Sequence, residues 1–334
     1  MKLNDVLSSY TGKRILITGG AGCIGSNLVR TLLKANPEKI VVLDDLSAAF
    51  EWNLPKDATL LFLRGSILNE AKMKQAFSLK PNYVFHLAAH FANQNSVDHP
   101  EADLSVNGVG TLRVLEYSRL VDVERFVFAS SGCSVYGSQA PLPLKEEYVS
   151  LHLDTPYQIN KLVGELYCNY FYDYHRLPLA IARYFNVYGP GEVPGRYRNV
   201  IPNFIWLALH KQPLPITGTG EETRDFTFVE DIVGGTLQMG VSKEAVGEAI
   251  NLASSTETRV IDLASWINEL NGNESKIIFR PRRDWDQVVK RRASIEKARK
   301  ILGYEPRTNI KAGLKATYQW VVENKDVIGE SAKF

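Results

Sequence analysis

Short runs of β-branched and apolar residues recur along the chain, each followed by a longer stretch with helical periodicity. The runs predict strands at 14–18, 40–44, 59–64, 83–88, 125–129, 179–184 and 249–252. They read as nearly continuous apolar segments (ILIT, IVVLD, YVFHLA, FVFAS) rather than as alternating ones. Such strands are buried on both faces, which predicts a parallel sheet covered by helices. Helical patterns fill the gaps at 22–34, 70–78, 101–120 and 157–175, the spacing of a doubly wound α/β fold. The rhythm breaks after Tyr184. Residues 189–220 are rich in Pro and Gly, and helical patterns dominate beyond Thr258. The predicted organisation is a sheet domain over 1–186, with a return to the sheet around 223–254. A smaller, discontinuous C-terminal lobe takes 187–222 and 255–334.

Composition changes this picture little but narrows the partners. With 334 residues the chain can hold about two lobes. Lys plus Arg number 39 against 37 for Asp plus Glu, so no global charge draws the protein to nucleic acid or an anionic membrane. Cys23, Cys133 and Cys168 are odd in number and widely spaced, which argues against a disulfide framework or a zinc site and for a reducing compartment. The first thirteen residues lack an apolar signal region, and no run reaches the length of a membrane span. The expectation is a cytoplasmic protein with no metal.

Chemistry enters directly after the first strand, in Thr18-Gly-Gly-Ala-Gly-Cys-Ile-Gly25, followed by a helix. Glycines at 19, 22 and 25 permit a tight turn and close backbone approach to a pyrophosphate, and the helix N-terminus supplies free N–H groups and a positive dipole end. Cys23 and Ile24 fall in the same turn. Asp44 ends the second strand, 25 residues after Gly19, near the distance expected of a ribose-binding carboxylate. A carboxylate there repels a 2′-phosphate, and Asp45 rather than an arginine follows it, so the expected cofactor is NAD.

Further on, Tyr157-Gln-Ile-Asn-Lys161 opens a predicted helix. At i and i+4 the two side chains share a face, so the ammonium can lower the pKa of the phenol toward neutrality. The pair follows the fifth strand and the loop Ser130-Ser-Gly-Cys-Ser-Val-Tyr-Gly137. This order resembles the extended short-chain dehydrogenase/reductase family and, within it, the nucleotide-sugar epimerases and dehydratases, UDP-hexose 4-epimerases above all. HLAA at 86–89, Asn107 in VNGVGT, ARYFNVYGPG at 182–191, NVIP at 199–202, TRDFTFVEDIV at 223–233 and LGYEP at 302–306 extend the resemblance over nearly the whole chain.

The resemblance implies a Rossmann domain carrying NAD and a C-terminal lobe carrying the substrate. In it Tyr157 is the base, and Lys161 holds the nicotinamide ribose and tunes the phenol. Ser66, Ile67, Leu87, Ala88, Ala89 and Asn107 lie along the cofactor, and Tyr184 and Asn186 at its junction with the substrate. Asn199, Arg224 and an arginine of the 280–284 segment, Arg282 first, hold a nucleotide diphosphate, a group that suits guanidinium forks. It further implies a homodimer through the 101–120 and 157–175 helices, with Leu112, Leu115, Leu166, Tyr170 and Phe171 as surplus apolar residues. The reaction implied is epimerisation of a UDP-hexose at carbon 4 through a transient 4-keto sugar.

The chain departs from the family pattern in places. Gly132 stands where epimerases place a Ser or Thr, so the assisting hydroxyl must come from elsewhere. Ser134, Ser131 and Cys133 are the candidates. Alternation along a strand ranks Ser134 first, on the premise that 132 faces the substrate. Cys133-Ser134 replaces the Asp-Glu of 4,6-dehydratases, and Ser66 replaces an acidic residue after the third strand. His90, after HLAA, is open to a functional or a structural role. Another reaction on the same scaffold (dehydratase, reductase or 3,5-epimerase) and a non-catalytic NAD-binding regulator are the alternative readings.

Overall fold

The computed structural model describes residues 3–132 and 134–332. Helix α1 (Leu3–Ser8) leads into β1 (Arg14–Thr18), α2 (Cys23–Leu33), β2 (Lys39–Asp44), β3 (Leu60–Arg64), α3 (Glu70–Phe77) and β4 (Tyr83–His86). There follow α4 (Asn93–Asp98), α5 (Pro100–Asp103), α6 (Thr111–Leu120), β5 (Arg125–Ser131), α7 (Pro156–His175) and β6 (Leu179–Tyr184). The apolar runs are the strands; β1, β2, β5 and β6 are buried on both faces as continuous hydrophobicity requires, whereas β3, at the sheet edge, is only partly covered. All pair in parallel in the order β3-β2-β1-β4-β5-β6. The order reverses between β1 and β4, and that switch point opens the crevice in which such sheets bind ligands.

One predicted helix is not regular. Between α5 and α6, residues Leu104–Gly110 form a π-helical turn where an unbroken helix over 101–120 is predicted. The wider turn shifts Asn107 out of the 3.6-residue register. Gly110 lets it lie close to the β3 end, since a Cβ there would come within 2.5 Å of the Ile67 side chain. Helix α7 starts cleanly. Thr155 Oγ1 accepts from the Gln158 N–H, Pro156 takes the first turn, and Arg176 closes the other end in a left-handed conformation.

Beyond β6 the chain alternates between two bodies. It makes β7 (Val187–Tyr188), α8 (Val200–Leu209), β8 (Leu214–Thr217), β9 (Thr223–Arg224) and β10 (Thr227–Phe228), then returns with α9 (Val229–Val241) and β11 (Ala249–Leu252). Strand β11 pairs in parallel with β6 and ends the seven-stranded sheet. The remainder is β12 (Thr258–Arg259), α10 (Val260–Leu270), β13 (Ile277–Arg280), α11 (Glu296–Leu302), α12 (Ile310–Glu323) and α13 (Lys325–Ser331). Two hydrophobic clusters cover the two faces of the sheet, and a third, around Ile201, Ile205, Leu263 and Leu314, holds α8, α10 and α12 together. No helix among the described residues is long and apolar enough to cross a membrane.

Candidate active site

A single cleft runs along the carboxyl ends of β1–β6 and under the 187–199 segment. At one end the glycine turn is built by close backbone contacts. Gly19 adopts φ +72°, and a Cβ on it would meet the Leu87–Ala88 backbone at 2.6–2.8 Å. A Cβ on Gly25 would meet Gly19 O at 2.4 Å, so helix and turn can pack only without one. Gly22 differs. Its missing side chain would meet nothing nearer than Gly19 O at 3.5 Å, leaving open space over the first turn of α2, which has no side-chain cap. Free helix N–H groups facing a space left by glycine are what a dinucleotide's pyrophosphate requires, so the residues present fit NAD.

Asp44 lies beside this turn. Its Oδ2 accepts from Ala21 N at 3.0 Å and its Oδ1 from Leu46 N at 2.9 Å. Burial raises its pKa, and these two backbone bonds oppose the rise. Ser66, Ile67 and the Leu87–Ala89 backbone line the cleft from the ends of β3 and β4. His86 sits below, with Nδ1 2.7 Å from Thr18 Oγ1 and Nε2 3.0 Å from Thr111 Oγ1. Burial, aided by the charge of Lys161, pushes its pKa down to about 3, so it is a neutral tie between β1 and α6.

At the other end stand Tyr157 and Lys161, on one face of α7. Lys161 is buried. Its Nζ donates to Ala129 O at 2.8 Å and lies 5.7 Å from the Tyr157 ring centroid. Burial pushes its pKa down to about 8, and the nearby Asp103 carboxylate is the largest opposing influence. Asp103 is itself fully buried, accepting from Asn160 Nδ2 at 2.7 Å and from Asn107 Nδ2 at 2.9 Å. Asn107 does not line the cleft. From the π-helical turn it clasps the main chain of His90, accepting from its N–H at 3.0 Å and donating to its carbonyl at 3.2 Å. His90 Nδ1 lies 3.6 Å from Asp103 Oδ2, and Nε2 lies 3.1 Å from Asn95 Nδ2. His90 is thus part of the cleft wall and is held on three sides.

The strand end at 130–134 departs from expectation. Ser131 lines the cleft with Tyr157, whereas Ser134 is fully buried, and its Oγ has no hydrogen-bond partner among the described residues. The premise fails at Gly132. Its missing side chain points at the buried Phe185 ring, where a Cβ would stand 1.9 Å from the nearest ring carbon. The chain also turns there, Ser134 N bonding back to Ser131 O at 2.9 Å, so strand alternation does not reach 134. Cys133 lies outside the described residues. Beneath the turn Ser130 Oγ donates to Glu165, which Arg183 grips with two bonds of 2.8 and 3.0 Å.

Tyr184 and Asn186 line the cleft, and the Tyr184 hydroxyl is 2.8 Å from Thr236 Oγ1. Asn199 is there too, donating to Glu192 Oε1 at 2.8 Å. Arg224 and Arg282 are not in the lining. Arg224 pairs at 3.2 Å with Asp286, not with Asp225 or Glu230, the neighbours its sequence offers. Asp225 instead accepts from Ser254 and from Ala293 N. Arg282 donates to Val288 O at 2.9 Å within its own loop. Sequence reasoning passed over Arg198 and Glu192, which enter the cleft from the Pro- and Gly-rich segment, and also Asp103 and Asn160. Two arginines in the four residues before Asn199, at 196 and 198, were the available signal.

Sheet order, glycine turn and the helix-borne Tyr–Lys pair facing it across one cleft define an NAD-dependent enzyme of the epimerase and dehydratase type. The model of the NAD dependent epimerase/dehydratase family matches residues 15–253, and the chain belongs to that family. Among solved structures it is similar to an epimerase of the methanogen Methanothermobacter thermautotrophicus, 55% identical with TM-score 0.98, covering 99% of this chain and 98% of that one. It is also similar to the UDP-glucose 4-epimerase of Thermotoga maritima solved with UDP-glucose, 33% identical with TM-score 0.88, covering 93% and 99%. The UDP-glucose 4-epimerase of Mycolicibacterium smegmatis is 33% identical over 92% of this chain and 98% of its own length.

Proposed function

We propose that this enzyme epimerises a nucleotide-linked hexose at carbon 4, with UDP as the carrier. The observation that carries the reading is one cleft holding the pyrophosphate-ready glycine turn at one end and Tyr157 with Lys161 at the other. NAD, when bound, supplies reversible oxidation of the sugar carbon. Tyr157 takes the proton of the carbon-4 hydroxyl and later returns it. The Lys161 ammonium, fixed on Ala129 O and 5.7 Å from the Tyr157 ring centroid, stands where a positive charge would favour the phenolate form of the base. Ser131 is the hydroxyl in place to assist, taking over the role expected of Ser134. The wall of His90, Phe91 and Asn93 bounds the space in which a 4-keto ring would turn. The lobe of residues 187–222 and 255–334 carries the nucleotide. Arg224, paired with Asp286 outside the lining, would have to leave that partner to hold a diphosphate. Incubation with UDP-, dTDP-, GDP- and CDP-sugars, followed by NMR, should show interconversion of carbon-4 epimers without deuterium uptake from heavy water. Deuterium at carbon 3 or 5, or no conversion with any sugar, would overturn the reading.

The assembly proposed is a homodimer in the cytoplasm. Leu120, Leu166, Tyr170 and Tyr174 on α6 and α7 are 47–76% exposed, a one-sided apolar face that a second copy would cover. Leu115 and Phe171 do not belong to it, being buried against the sheet. Light scattering at micromolar concentration should give twice the monomer mass, and a monomer would reject the dimer. The free thiols of Cys23 and Cys168 agree with a reducing compartment.

A further inference from the structure

The cleft's charges leave one cation without an assigned task. Among the described lining residues the anionic side chains are Asp44, Asp45 and Glu192, and the Lys or Arg side chains are Lys161 and Arg198. Lys161 is committed to Ala129 O beside Tyr157. Arg198 comes from the opposite side, out of the 187–199 segment. It crosses the cleft to donate from Nη2 to the carbonyl of Ala48, in the loop that follows Asp44. It enters no ion pair among the described residues, and burial lowers its pKa. A partly buried guanidinium bonded to a single neutral carbonyl keeps most of its five donors for another acceptor. Its surroundings locate that acceptor. The segment that carries it lies against the glycine turn: Cys23 Sγ, at the start of α2, is 3.6 Å from Pro190 O, and Asn53 Nδ2 donates to both Ala21 O and Gly191 O.

We propose that Arg198 binds the cofactor's diphosphate, closing over it from the substrate side while the glycine turn holds it from below. The inference rests on the proposed NAD-dependent reaction and adds to it a residue outside the sheet domain. The helix N-terminus offers only partial positive charge to a group carrying two negative charges, and a guanidinium supplies the missing whole charge with forked hydrogen bonds. Asn199, the next residue, donates to Glu192 Oε1 and Val187 O. One short segment thus lines the cleft with adjacent side chains. Cofactor held from both sides is retained through a cycle in which it is regenerated and has no need to leave.

The test is calorimetric titration of the cofactor-stripped full chain with ADP-ribose, adenosine and UDP. Arg198→Gln should weaken ADP-ribose at least tenfold while adenosine and UDP change less than twofold, and Arg198→Lys should fall between. Purified Arg198→Gln should also carry less NAD than the wild type. The adenosine arm shows that the cleft has kept its shape. Equal loss for adenosine, loss for UDP alone, or unchanged ADP-ribose binding would each overturn the proposal. Failure of the wild type to convert any nucleotide sugar would sink the proposed reaction, yet leave the ADP-ribose comparison valid.

Discussion

Restoring the family's hydroxyl at position 132 should damage this protein rather than improve it. In Gly132→Ser the new Cβ would stand 1.9, 2.3 and 2.4 Å from three carbons of the Phe185 ring. Ordinary contact begins near 3.4 Å, so the ring must retreat by about 1.5 Å. It has nowhere to go, because Phe185 is fully buried with the Tyr136 ring 6.1 Å away. Overpacking of this kind costs about 1–3 kcal/mol, and so close a contact belongs at the upper end. Unfolding entropy of ~2.1 cal/mol/K per residue amounts to ~0.7 kcal/mol/K over 334 residues, so ~3 kcal/mol lowers Tm by about 4 °C. Differential scanning calorimetry of the NAD-loaded protein measures it. Phe185→Leu, costing stability alone by leaving a gap, should cost less in the Gly132→Ser background, a coupling visible in a double-mutant cycle. An unchanged Tm with raised turnover would refute the reasoning. The glycine would then be an incomplete active site and not a packing requirement.

Tyr157→Phe should keep its fold and NAD content and lose turnover by roughly 10² or more, and near wild-type turnover would move the base elsewhere. Ser131→Ala should lower turnover by about tenfold and Ser134→Ala should change it little, with the reverse order assigning the assisting hydroxyl to Ser134. The Lys161 ammonium is present below its pKa of about 8 and lost as pH rises through it, so turnover should decline on the alkaline side. Asp103→Asn removes the anion that holds this pKa up and should move the alkaline limb of the kcat profile to lower pH. A limb that stays in place would remove Asp103 from the electrostatics of the site.

The sheet was legible because its physics is local. Short continuous apolar runs rich in β-branched residues and bounded by turn residues favour covered strands, and all seven predicted runs lie in one parallel sheet. The glycine turn, Asp44, Tyr157 and Lys161 were legible for a related reason, since each is bound to its neighbours by fixed spacing. Three features were not. The π-helical turn at 104–110 leaves no mark in composition, because one residue more per turn alters hydrogen bonding without altering hydrophobicity. Ser134 was ranked on strand alternation, which ends where the backbone turns after Ser131. Arg224 pairs with Asp286, 62 residues on, and Arg198 reaches Ala48, 150 residues back; distances of that kind are properties of the folded chain alone.

The late return of the chain to β11 sets a timetable for synthesis. Until residues 249–252 leave the ribosome, β6 is an edge strand, an apolar row from Leu179 to Tyr184 with unpaired backbone groups. Sixty-eight residues separate the end of β6 from the end of β11. At roughly 5–20 residues per second that edge waits about 3–14 seconds. Arg183, in the same strand, already has its carboxylate by then, because Glu165 precedes it on α7. Ionic groups set into an edge strand are one of the devices that discourage pairing with a second chain, and the Arg183–Glu165 pair needs nothing from the residues still to come.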